Sequence, residues 1–92
     1  MVKVGMEIDI VKSGRGHGAS EVSVLLGGDG EFAALPRQGE TVIIPKLGLC
    51  SKVAKVIHFT SDGRPYLVLQ PHYTDNPGET VENLKEIGWV VV

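Results

Sequence analysis

The chain has 92 residues, 42% hydrophobic and 22% charged, which is the composition of one globular domain and too apolar for a disordered segment. Its net charge of −2 gives no global attraction to nucleic acid or acidic membranes, and no apolar run approaches the ~20 residues of a membrane helix. A single cysteine, Cys50, excludes an intramolecular disulfide and points to a reducing, cytoplasmic compartment.

Val2, Val4, Met6, Ile8 and Ile10 alternate with Lys3, Gly5, Glu7 and Asp9, the period-2 pattern of a half-buried strand. Ser13 to Ser20 holds three glycines in a Gly14-Arg15-Gly16-His17-Gly18 core and predicts a loop. Glu21 to Leu26 resumes strand pattern, with Val22, Val24 and Leu26 inward, so the two strands form a hairpin with a long tip. Gly27-Gly28-Asp29-Gly30 predicts a break, and Phe32 to Leu35 is either a strand end or a single turn. Pro36 and Gly39 mark a connector into a strand at 41–44.

A strand at 53–60 and another at 66–70 flank Asp62-Gly63, a dipeptide suited to a two-residue type I′ turn. That turn predicts Phe59 opposite Tyr66, His58 opposite Leu67, Ile57 opposite Val68 and Val56 opposite Leu69. Val53 and Val56 fall on different faces of a regular strand, so a β-bulge near Ala54-Lys55 is expected. Pro65 and Pro71 bracket the second strand. Both faces of this hairpin are apolar, which predicts burial on two sides: in a barrel, under a helix or at a subunit interface.

Asn76-Pro77-Gly78-Glu79 carries a cap residue, a proline at the first helical position and an acid in the first turn. With Val81, Leu84 and Ile87 as an apolar stripe and Gly88 after it, a helix is predicted over 77–87. Trp89, Val90, Val91 and Val92 then read as a strand whose four apolar side chains require docking. It either closes its own sheet or serves as the interface strand of a homodimer. The expected fold is mainly β (α+β): a strongly bent, mainly antiparallel sheet or SH3-like small barrel of five to six strands, with one C-terminal helix.

The run Leu35-Pro36-Arg37, Gly39-Glu40 and Val42, followed by Val53, Val56, His58, Asp62-Gly63, Pro65, Val68 and Leu69, resembles a set of small bacterial and mobile-element orphan proteins, integron-cassette-like. These carry an N-terminal hairpin, an LPR-x-GE connector and a V-x-x-V-x-H strand in an SH3-like sheet or barrel. The resemblance covers about residues 1–71, so residues 72–92, helix and last strand, read as an extension of that β core within one domain. It implies a fold and no activity, because such proteins mostly lack an assigned one.

The residues offering chemistry each have a structural explanation as well. Arg15 and His17 sit in the glycine-rich loop, which could cradle a phosphate. However, a strand follows that loop where phosphate motifs need a helix, so a hairpin tip explains it. His17, His58 and His72 lack the spacings of a zinc motif. His58 is expected mid-strand and partly buried, and His72 in a loop or in the wall of a cleft with Arg37 or His58. Cys50 lies beside no activating residue in sequence, so no catalytic residue, metal or cofactor is assigned. Charge is polarised: five cations against two acids over 37–64, and one cation against four acids over 65–92. The chain therefore reads as a non-enzymatic binding or adaptor module working through protein–protein contacts, itself a homodimer. The rival is a small-molecule-binding protein or small enzyme with a cleft near His58 and His72. A nucleic-acid-binding barrel ranks below both, since an isoelectric point of 5.8 opposes it.

Overall fold

A computed structural model describes residues 1–12, 23–44, 46–58 and 63–92. Among these residues, seven strands and one helix follow in order: β1 (Val2–Lys12), β2 (Ser23–Phe32), β3 (Thr41–Ile44), β4 (Leu49–Ile57), β5 (Tyr66–Leu69), β6 (His72–Thr74), α1 (Pro77–Glu86) and β7 (Val90–Val91). The strands form one curled, open sheet in the order β3-β4-β5-β1-β2-β7, a half-barrel, with β6 also against β1. The mainly β class with a single helix is therefore as the sequence predicts. The strand count rises to seven because a short further strand, β6, follows β5 after Gln70-Pro71.

β1 is the centre. It pairs antiparallel with β2 from Val2↔Phe32 to Val11↔Ser23, and parallel with β5 and then β6 along its other edge. The alternation of its sequence sets which residues face inward. Val4, Met6, Ile8 and Ile10 are buried together with Leu26, Val42, Ile44, Leu49, Val53, Leu67 and Leu69 in one core. α1 lies against β1, β2 and β6 and delivers Val81 and Leu84 to that same core, so the C-terminal elements belong to it rather than decorating it.

Helix chemistry follows the prediction closely. Asn76 caps α1 by accepting from the Glu79 N–H at 3.2 Å, Pro77 takes the first helical position, and Gly88 leaves the last turn with φ +103°. The helix stops at Glu86, with Ile87 as its cap.

Three expectations need correction. The β4–β5 register is displaced by two residues from the one an Asp62-Gly63 turn demands: Val56 faces Leu67 and Ile57 faces Tyr66. Pro65 has no N–H to give a ladder and its carbonyl accepts from the Gly5 N–H at 3.0 Å; β5 begins after it, at Tyr66. A shift of two keeps each side chain on its face, so Leu67 and Leu69 still point inward. His58 consequently lies beyond β4 and exposed, not opposite Leu67; Phe59 is outside the described residues. β4 also starts earlier, at Leu49. The expected bulge is present, with the register stepping between Val53 and Lys55, which leaves Ala54 as the extra residue.

The third correction concerns Gly27 to Gly30, which continue β2 rather than breaking it. Here side chains from elsewhere occupy the glycines' places. A Cβ on Gly28 would stand closer than 3.0 Å to three atoms of the Trp89 indole, and one on Gly30 would meet the Met6 methyl at 2.6 Å. The strand keeps its ladder with β1 throughout, and the missing side chains form sockets. Gly28→Ala should therefore cost about 3 kcal/mol, an overpacking penalty with no flexible neighbour to absorb it. Gly30→Ala, against the mobile end of Met6, should cost well under half of that. Urea unfolding of both variants checks the ranking.

Candidate functional site

The half-barrel leaves a seam between β2 and β3, and the backbone there can be followed group by group. The Val53 N–H donates to the Glu40 carbonyl at 2.9 Å, so by antiparallel alternation Val42 and Ile44 direct their backbone groups to β4. Thr41 and Ile43 direct theirs outward. On the other rim the Val92 N–H donates to the Leu25 carbonyl at 3.0 Å, which puts Leu25 and Gly27 on the β7 side. The same alternation sends the backbone groups of Asp29 and Glu31 to that edge, beyond the reach of two-residue β7. Among the described residues, then, both rims of the seam end in ladder groups that no strand meets.

Between the rims is a cavity of about 310 Å³ lined by β2 from Asp29 to Phe32, by β3 from Val42 to Ile44 and by Lys46. Met6, Ile87 and Trp89 form its floor. Val42, Ile44, Met6 and Trp89 are buried, whereas Ile43 at the rim is 59% exposed. The floor is apolar, and β2 and β3 run in opposite directions around the sheet. A strand laid into the seam would be antiparallel to one rim and parallel to the other.

A second depression, about 530 Å³, lies on the sheet's outer face over Gly5 and Gly27, between Tyr66 and Val90. Its glycines are accounted for by the chain itself: the Tyr66 ring lies over Gly5, and a Val92 methyl lies over Gly27. Arg64 pairs with Asp29, and the Tyr66 hydroxyl donates to Glu7 Oε1 at 2.9 Å. These contacts tie β5 and its approach to β1 and β2 across the glycines, a bracing role.

The residues singled out from sequence do not converge. Arg15 and His17 lie outside the described residues. Arg37 is exposed on the connector between β2 and β3, where its backbone N–H donates to Glu40 Oε1 at 2.6 Å. His58 adjoins the end of β4 near Gly5 of β1, whereas His72 stands opposite Ile10. Five positions of β1 separate the two levels, roughly 17 Å, so the structure forms no cleft with both histidines. His72 lines a cavity of about 210 Å³ with Leu47, Gly48, Leu49, Thr80 and Asn83, none of them an acid or thiol that would activate it. Among the described residues no three His, Cys, Asp or Glu side chains are grouped to hold a metal ion. Cys50 is exposed on β4, its thiol near the Gly48 carbonyl at 3.9 Å. Trp89 is buried within its own chain and offers no interface, while Val90, Val91 and Val92 are exposed.

Sequence reading missed the seam because no motif encodes it: among the described residues β3 has one strand partner, β4, and that is a fact of topology. No protein-family model, curated protein or solved structure matches the chain. Among the described residues no helix is long and apolar enough to cross a membrane.

Burial, then the hydrogen bond to Glu7 and the Glu7 charge, raise the Tyr66 hydroxyl above its ordinary value near 10.0. A group with a raised folded-state value stabilises fully below its unfolded value, and this contribution is lost as pH climbs through the folded one. Stability should accordingly fall above pH 10, and Tyr66→Phe should remove that component of the decline. At neutral pH the variant should be about 1 kcal/mol less stable through loss of the Glu7 hydrogen bond. Urea melts across pH 7 to pH 11 check both statements; an unchanged alkaline slope would show that the hydroxyl is not its source.

Proposed function

We propose that the chain is a non-enzymatic binding module that takes an extended segment of another protein into the seam between β2 and β3. The observation that carries this reading is the pair of strand edges, at Thr41 and Ile43 and at Asp29 and Glu31, that no strand among the described residues meets and that stand over an apolar floor. Strand addition supplies main-chain hydrogen bonds for affinity, and alternate side chains enter the floor for selectivity. The preferred segment has small or medium apolar residues at every second position, because the inward places are bounded by Met6, Ile44 and Trp89.

Amide NMR during titration with short peptides of alternating apolar and polar residues tests the proposal. Shifts and slowed exchange are expected at Thr41, Ile43, Asp29 and Glu31. Ile43→Pro removes one outward N–H while sparing the β3–β4 ladder, since Ile43 directs no group to β4. It should weaken binding about fivefold or more, the worth of one net hydrogen bond, and Ile43→Thr should not. Peptide binding that perturbs other strands, or that ignores Ile43→Pro, defeats the reading.

A second reading, a small polar ligand, rests on the cavity where His72 meets Thr80 and Asn83. A thermal-shift screen against metals, nucleotides and common metabolites addresses it. A dose-dependent rise abolished by His72→Ala would put that cavity in place of the seam.

A further inference from the structure

We infer that β7 joins two copies of this chain, edge to edge, about a two-fold axis through Val91. Val90 and Val92 lie at the positions whose ladder groups turn to β2, as the bond from the Val92 N–H to the Leu25 carbonyl fixes. Val91 is left with its N–H and carbonyl both pointing away from the sheet. A donor and an acceptor on one residue are self-complementary: a two-fold axis there makes Val91 and the partner's Val91 exchange two hydrogen bonds.

Side chains favour the same pairing. Val90, Val91 and Val92 are 61%, 51% and 72% exposed, the one run of three consecutive exposed large apolar residues among those described. Residues 88–92 contain no charged side chain and no proline, the usual guards of a free edge. β3 differs, because Pro45 and Lys46 follow it directly. In the two-fold register Val90 stands opposite the partner's Val92, so four valines meet on the outer face and two on the inner. Trp89 and Gly28 hold β7 in place from within, so forming the pair requires no rearrangement.

Three valines and two backbone groups per copy bury less than the ~1,000 Å² of a permanent interface. The dimer is therefore in concentration-dependent exchange with its monomer. Sedimentation or light scattering from about 10 μM to about 500 μM should show a mass rising from near 9.9 kDa toward twice that value. Val92→Glu sets a carboxylate opposite the partner's Val90 and should weaken association at least tenfold; the glutamate's methylene carbons keep the cover over Gly27, so the circular dichroism spectrum stays unchanged. Val90→Lys combined with Val92→Glu should restore it, because each introduced cation then faces the partner's introduced carboxylate. A mass of 9.9 kDa at every concentration overturns the inference. So does undiminished dimer in Val92→Glu, and so does failure of the paired substitution to restore it. The interface is independent of the seam, and Ile43→Pro should leave it intact.

Discussion

β1 is hydrogen-bonded along both of its edges, and every other element takes its place from that fact. Its antiparallel ladder with β2 fixes one side, and parallel pairing with β5 and β6 fixes the other. Its inward residues Val4, Ile8 and Ile10 are wholly buried, between neighbouring strands on both sides and under the helix. The curl of the sheet around this strand brings β2 and β3 toward each other without letting them pair. The seam is the remainder of an incomplete closure, and its apolar floor is simply the rest of the core.

The glycines show how local rules yield to packing. Three glycines in four residues ordinarily end a strand, since each has no side chain to pack and ordering it costs entropy. Here Trp89, Met6 and Val92 arrive from other parts of the chain and fill the places that side chains at 28, 30 and 27 would have taken. β2 keeps its ladder because distant residues supply the apolar packing that its own glycines cannot. No window of sequence around Gly28 contains Trp89, so this could not be read in advance.

What was legible obeys the same distinction. The alternation of β1, the cap at Asn76 and the bulge at Ala54 depend on neighbouring residues, and the sequence displays them openly. The register of β4 on β5 looked equally local, yet β5 is also fastened to β1, through the bond between Gly5 and Pro65, sixty positions apart, and no local turn rule includes that partner. His58 and His72 suggested a cleft because histidine suggests chemistry, but sheet position decides proximity, and it keeps them apart. The candidate seam consists of backbone groups that every sequence possesses, so only topology makes it visible.

The parallel pairing of β1 with β5 and β6 also orders events in time. Gly5 meets Tyr66 and Ile10 meets His72 only after the whole intervening chain exists, whereas the hairpin of β1 and β2 closes over a short span. During synthesis, therefore, β1 keeps one edge free until the chain has passed residue 69, and the part that pairs with β6 until residue 74, while its apolar face has no helix until α1 follows. Closing so long a loop is an entropic barrier that no local contact lowers, which makes this a slow-folding topology for its length. The strand at the centre of the finished molecule is the one that waits longest, half-paired, for its surroundings.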